Sequence, residues 1–250
     1  MRDRMSIDKF LEKQQTTRIG SSGDRESAIC RLETSKLIAA NFETFDELRV
    51  HLQHPDRPIS LTGVTRDSPV LQRFADLGWI ECSDKLGKRV NFPPSIGLDI
   101  KAYIFGRWLE EYVFCAFESA GSDETYYSQR VEWTFDSIKG KNEIDVIAMR
   151  GGAVGFASCK AIQSTPHKGV ESDMTTYLRE VHDWDSHFSG GYARAMLVTT
   201  LDLFSGDEVR RELARYPVIN AKSKALKMTL LGLEQLRWES LVSECDRLLR

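Results

Sequence analysis

Two short stretches carry the residue types that could do chemistry. One is Asn142-Glu143-Ile144-Asp145-Val146-Ile147, the other Phe156-Ala157-Ser158-Cys159-Lys160. On a β-strand alternate side chains share a face. Glu143 and Asp145 are therefore expected to point one way, with Ile144 and Val146 pointing the other. Ser158 and Lys160 share a face in the same manner, with Phe156 two positions before the serine. Gly151-Gly152 lies between the stretches, and a turn there makes them antiparallel neighbours whose carboxylates and lysine converge at one end. Acidic side chains on a buried strand are costly unless something cationic satisfies them. A divalent ion does so, and Mg²⁺ or Mn²⁺ prefers oxygen ligands of this kind.

The elements that must position these groups follow from hydrophobic periodicity. A long helix is expected over Asp99–Phe117, strands over 124–135, 143–149 and 153–160, and a helix carrying Met174, Tyr177, Leu178, Val181, Trp184 and Phe188 on one stripe. Ala195–Thr199 reads as a further strand, 206–215 as a short helix, Met228–Leu231 as an edge strand, and Leu233–Leu248 as the last helix. This order predicts an α/β domain with a mixed sheet over 96–250. Upstream, three helices are predicted: one capped by Asp24, one from Thr44 ended by Pro55 and Pro58, and one from Asp67 or Ser68 closed by Gly78. A hairpin with strands at Trp79–Cys82 and Arg89–Phe92, turning at Asp84–Gly87, completes a winged-helix-like segment over 24–95. Its third helix, DSPVLQRFADL, has one arginine against two aspartates. A linker or dimerisation role therefore suits it better than phosphate contact. Residues 1–23 are expected to be flexible, because Thr16, Thr17, Gly20, Ser21, Ser22 and Gly23 crowd together without apolar periodicity.

Composition excludes several classes. The chain has 250 residues, 41% hydrophobic and 28% charged, which is too apolar for disorder and long enough for a substantial core. No apolar run reaches the roughly 20 residues of a membrane span. The charged start MRDRMSIDKFLEKQQ is unlike a secretory signal, so a cytoplasmic location is expected. Five scattered cysteines, never in a CxxC pair, argue against disulfides and structural zinc. With 34 basic and 37 acidic residues and a net charge of −3, any nucleic-acid contact is confined to a local groove.

The segments GRWLEEYV (106–113), NEIDVIAMRGG (142–152) and FASCKA (156–161) resemble the PD-(D/E)xK nuclease superfamily. Within it they resemble the effector domain of the CRISPR-associated, CARF-coupled nucleases that respond to cyclic oligoadenylate. The resemblance spans about residues 99–235 and implies a restriction-endonuclease-like mixed sheet flanked by helices. It implies a Mg²⁺- or Mn²⁺-dependent endonuclease that hydrolyses DNA or RNA in prokaryotic antiviral defence. Carried over, Asp145 takes the place of the central metal-binding aspartate, and Lys160 that of the lysine that orients or deprotonates the attacking water. The Cys159 carbonyl becomes a metal ligand, and Glu110 matches the helix glutamate. Glu111 lies four residues after Arg107 and reads as half of a surface ion pair.

The departure is Ser158, which stands where the superfamily places Asp or Glu. Either Glu143 supplies the missing carboxylate, or the protein keeps the scaffold with impaired activity and serves as a nucleic-acid-binding or assembly module. Gln163 matches a glutamine sometimes found after this motif, and otherwise reads as a loop residue. His167, His182 and His187 lack metal-ligand spacing, and Trp108 and Trp184 read as core. The family's usual Rossmann-like sensor, with a βαβ glycine loop, is not evident in this chain. Ligand activation is therefore not carried over. The apolar surplus of the upstream helices suggests a homodimer.

Overall fold

The alternating, β-favouring run from Glu124 to Arg150 doubles back at Asp136-Ser137, and both turn residues take the positive φ that a two-residue hairpin turn demands. The computed structural model describes residues 5–54, 68–82, 90–163, 168–188, 193–203 and 215–250. The long hairpin joins β4 (Glu124–Phe135) to β5 (Ile138–Arg150), and a second turn at Gly151-Gly152 leads into β6 (Ala153–Lys160). Strands β1 (Thr16–Arg18), β7 (Ala193–Thr199) and β8 (Thr229–Leu231) complete a six-stranded sheet of order β1-β4-β5-β6-β7-β8. Pairing is antiparallel from β1 to β6 and parallel from β6 to β8. The expected mixed sheet is present.

Contacts divide the chain into two units: Met1–Cys30 with Leu109–Arg250, and Arg31–Trp108. In the first, α1 (Ile7–Lys13) and α7 (Val170–Phe188) cover one face of the sheet. Ile7, Phe10 and Leu11 join Val154, Phe156, Met174, Leu178 and Leu197 in one apolar cluster. Against the other face lie α6 (Trp108–Ser119) and α9 (Trp238–Leu248). A Cβ at Gly155 would stand 3.0 Å from Leu248 and 3.4 Å from Phe117, so that face admits its helices because position 155 has no side chain. Helix α8 (Pro217–Ala225) adds Ile219 to the cluster with α7.

Within the stretch 1–23 expected to be flexible, residues 7–13 form α1 and residues 16–18 form β1. Ser6 caps α1 by accepting from the Lys9 N–H, and the Ile7 N–H donates to Glu124 at 2.7 Å. Thr16–Arg18 pairs with Val131–Trp133. The threonines and glycines suggested a loose tail, but the upstream IDKFL run supplies three core residues and the threonines extend the sheet.

The second unit contains the C-terminal part of α2 (Arg25–Ala40), then α3 (Phe42–Gln53), α4 (Pro69–Asp76), the paired β2 (Glu81–Cys82) and β3 (Val90–Asn91), and α5 (Leu98–Ala102). Its core is aromatic: Phe45 meets Phe74 at 6.1 Å and Trp108 at 5.7 Å, both edge-on, and Trp79 meets Tyr103 at 5.4 Å. Arg49 and Asp46 form a buried ion pair one turn apart, and His51 bonds the Val90 carbonyl at 2.8 Å. The stops at Pro55 and Pro58, the turn at Asp84–Gly87, His167 and nearly all of the helix expected over 206–215 lie outside the described residues.

The single helix expected over Asp99–Phe117 is two. Between α5 and α6 the Tyr103–Arg107 segment is wider than an α-helix and Gly106 leaves helical geometry. Arg107 pairs with Asp99, and Glu111 is fully buried. The surface pair is excluded because residues 108–117 are buried on nearly every side.

Replacing Phe10, which is 5% exposed and 6.2 Å from the Phe156 ring, tests the N-terminal assignment. Phe10→Ala should lower unfolding stability by about 3–5 kcal/mol in a urea titration. A flexible tail would give no change.

Candidate active site

The site begins where a ladder ends. Strands β5 and β6 pair from Arg150↔Ala153 to Val146↔Ala157, while β6 continues alongside β7 to Lys160↔Thr199. Beyond Ala157 the β5 side of β6 opens, and a main-chain donor there needs another acceptor. Asp145 supplies it: its Oδ2 accepts from the Cys159 N–H at 2.7 Å and from the Ser158 hydroxyl at 3.1 Å. The Lys160 Nζ stands 3.9 Å from the same oxygen. The carboxylate thus closes the gap that the diverging strands leave, and collects the motif residues of β6 around one atom.

Opposite Asp145 the partner strand is also irregular. Tyr127↔Val146 and Gln129↔Ile144 are in register, so Ser128 faces Asp145, and Ser128 takes φ 45°. For a non-glycine residue this left-handed backbone is uncommon. The distortion breaks the alternation of both strands. Ile144, Ile147 and Met149 share one cluster, as do Val131 and the adjoining Tyr126. A strict period of two would send Ile144 and Ile147 to opposite faces. The expectation that Ile144 and Val146 share one face against Glu143 and Asp145 is therefore corrected at its centre. The turned Ser128 donates its hydroxyl to Glu110 on α6 at 2.5 Å. It is a site residue that sequence reading missed, since no side-chain pattern announces a positive φ within a strand.

Glu110, Asp145 and Lys160 all act electrostatically on one atom, the Cys159 thiol. Burial first, then the Asp145 and Glu110 carboxylates, push that thiol well above the usual range, and Lys160 opposes them. Glu110 is half-buried on α6 and Glu143 is exposed on β5. Asp145, Ser158, Cys159 and Lys160 meet where the strands diverge, Glu110 is bonded to Ser128 opposite Asp145, and Glu143 lines the adjoining cavity. Gln163 is exposed just after β6.

Helix α7 covers the opening. A cavity of about 300 Å³ lies between it and the sheet, lined among others by Asp145, Ser158, Lys160, Glu143, Glu180 and Trp184. The Lys160 ammonium sits over the Tyr177 ring, 5.2 Å from its centre, a cation–π contact that competes with water for the charge. Trp108 is fully buried as expected, and Trp184 is partly buried against the apolar cluster while also lining the cavity. At the far end of β6, Thr199 Oγ1 donates to the Lys160 carbonyl at 3.0 Å and fixes the strand where it leaves the ladder.

A divalent ion can be tested against these donors. Glu110, Asp145 and the Cys159 carbonyl offer hard oxygen, the ligand type Mg²⁺ and Mn²⁺ select. The fit is one of kind, with two carboxylates near a single thiol. Among the described residues, no three His, Cys, Asp or Glu side chains stand close enough to hold a metal by themselves. No helix among them is long and apolar enough to cross a membrane.

No family model matches the sequence, and no curated protein matches it. Solved structures do share the fold. Protein VC1899 from Vibrio cholerae superposes with a TM-score of 0.66 at 15% identity, covering 98% of this chain and 62% of that one. Can2 from Sulfobacillus thermosulfidooxidans, in complex with cyclic tetra-adenylate, superposes with a TM-score of 0.60 at 13% identity, covering 97% and 61%. The chain therefore spans about three-fifths of the length of both proteins.

The thiols report on the site's burial. Cys159 and Cys245 are both raised, chiefly by desolvation. Folded, they keep protons that the unfolded chain gives up, so their contribution to stability is full below the ordinary thiol value and falls as pH rises above it. At about pH 8.5, iodoacetamide should label the exposed Cys30 well before the buried Cys245 in a timed peptide map. Equal labelling rates would contradict the enclosed geometry.

Proposed function

We propose that the chain is a metal-dependent nuclease hydrolysing phosphodiester bonds in DNA or RNA, in prokaryotic antiviral defence. One observation carries the reading: Asp145 of β5 and Ser158-Cys159-Lys160 of β6 meet at the divergence of the two strands, with Glu110 joined through Ser128. The sequence resemblance supports it, because these are the residues that GRWLEEYV, NEIDV and FASCK single out. The fold shared with a protein captured on cyclic tetra-adenylate supports the same association. That ligand belongs to the other protein.

Asp145 and Glu110, with the Cys159 carbonyl, would hold Mg²⁺ or Mn²⁺. When bound, such an ion lowers the pKa of a water and polarises a phosphoryl oxygen. The rest falls to the chain's own side chains. Ser158 and the Cys159 N–H lock the Asp145 carboxylate in one rotamer by donating to Oδ2, which lowers the cost of orienting it during reaction. Lys160, held between that carboxylate and the Tyr177 ring, is placed to orient the attacking water and to offset charge building on the phosphate. Helix α7 narrows the opening and limits the water that reaches the reacting atoms.

A second reading has one observation in its favour. Ser158 gives Asp145 a hydrogen bond where the superfamily has a carboxylate, and no three-acid cluster forms among the described residues. A scaffold retained for nucleic-acid binding or assembly would look the same. Calorimetry with Mn²⁺ separates the two: the nuclease should bind the ion and Asp145→Ala should not, whereas a binding module shows no heat with either.

In a Mn²⁺-dependent plasmid-nicking assay, Lys160→Ala should cost on the order of 100- to 1000-fold, as removal of one transition-state donor does. Lys160→Arg should fail nearly as badly, its planar guanidinium being too wide for the place. Wild-type rates from either variant would remove the lysine from the mechanism.

Ser158→Glu and Glu143→Ala then locate the remaining carboxylate. If Glu143 supplies it from the lip, Glu143→Ala loses metal affinity and Ser158→Glu crowds the site without gain. If position 158 is the weak point, Ser158→Glu raises Mn²⁺-dependent cleavage and Glu143→Ala is silent. No change in metal dependence in both would argue against the metal assignment altogether.

A further inference from the structure

The cavity beside Lys160 has a second end that hydrolysis does not use. Along α7, Tyr177, Glu180, Val181 and Trp184 recur at the spacing of one helix face, and the last three line the cavity. Tyr177 marks the end at which the Lys160 ammonium sits. Trp184 lies seven residues on, about 10 Å along the helix axis, which is the reach of one nucleotide from its phosphate to the far edge of its base. Between them the wall is apolar, formed by Val181, Phe156 and Ala195. Trp184 is partly buried, packed at the margin of the apolar cluster, and His187 meets it edge-on at 6.2 Å and 90°. His187 also meets Trp133, at 6.4 Å. Neither His187 nor Trp133 lines the cavity, so the indole is braced from outside it.

We infer that this end is a base-stacking subsite for one unpaired nucleotide of the substrate strand. The inference rests on the nuclease reading above and specifies its substrate. A flat, apolar, π-faced group suits a cavity lined by an indole and an apolar wall, and every base offers such a face. Asn142 and Glu180 add an amide and a carboxylate within the same lining, able to meet the donor and acceptor atoms on a base edge. At about 300 Å³ the space lies at the lower limit of small-molecule sites. It admits one base and excludes a base pair, so the strand must present that nucleotide unstacked. The acidic groups at the lip, Glu143 and Glu180, disfavour a second phosphate there. The base, rather than the backbone, enters.

The test is fluorescence anisotropy on the full chain in Ca²⁺ buffer. The probes are a labelled single-stranded DNA 12-mer, its RNA counterpart, the matching duplex, a set of 12-mers each with one abasic position, and AMP as competitor. Wild type should bind the single strand more tightly than the duplex, and one abasic position should weaken binding by roughly fivefold or more. Trp184→Ala should weaken the intact strand similarly and abolish the abasic effect, while Trp184→Phe keeps most of both. If Trp184→Ala does not fold by circular dichroism, Trp184→Leu keeps apolar volume without a π-face and should behave as the alanine variant was expected to. Equal binding of duplex and single strand, no abasic position that matters, or unchanged binding by Trp184→Leu would overturn the subsite. So would AMP competing as well as the strand, since it would mark a free-nucleotide site. The outcomes separate from the parent reading. Base-dependent binding without Mn²⁺-dependent cleavage leaves the subsite and removes hydrolysis, whereas cleavage with Trp184-independent binding does the reverse.

Discussion

Once β6 leaves β5 at Ala157 while remaining paired to β7, the Cys159 N–H loses its ladder acceptor, and the Asp145 carboxylate takes that place. An unsatisfied buried donor would cost about 1–3 kcal/mol, so the aspartate is held by the same need that keeps a sheet paired. The other features of the site follow from this divergence. Ser158 and Lys160 face the opened edge, Thr199 secures the lysine's carbonyl from β7, and α7 closes over the gap. A site placed at the splitting point of a sheet gains rigidity from both strands, which one placed on a loop does not.

Ser128 plays the corresponding part on the other side. Its left-handed backbone costs on the order of 1–3 kcal/mol and turns the hydroxyl to Glu110, tying α6 to the strand at the level of Asp145. The same kink moves Ile144 into the cluster with Ile147 and Met149. A single backbone departure therefore both engages the Glu110 carboxylate and re-aims a core residue.

Much of this was legible in the sequence. The mixed sheet and the antiparallel pairing of β5 with β6 followed from the apolar pattern around a Gly-Gly turn, whereas strict alternation failed at Asp145, where the Ser128 backbone interrupts it. The misreadings share a cause, which is that burial depends on partners distant in the chain. Thr16 and Thr17 looked like loop residues because the strand they pair with lies beyond position 130. Glu111 looked exposed because its spacing from Arg107 suits an ion pair, yet it lies on a helix buried on nearly all sides. Trp184 fitted a core stripe and does pack against the apolar cluster, while also lining the cavity. The Ser128 backbone had no sequence signal, since serine adopts that geometry rarely and only in context.

The unit that carries the site is discontinuous: residues up to Cys30 belong with Leu109–Arg250, and the other unit lies between them in sequence. Its N-terminal helix waits for Glu124, 117 positions downstream, to accept the Ile7 N–H. During synthesis at roughly 5–20 residues per second, that helix and strand β1 leave the ribosome several seconds before their partners exist. The intervening unit has its own aromatic core and can form in that interval. The apolar face of Ile7, Phe10 and Leu11 stays uncovered until those partners follow, which makes it a place where a ribosome-associated chaperone can bind.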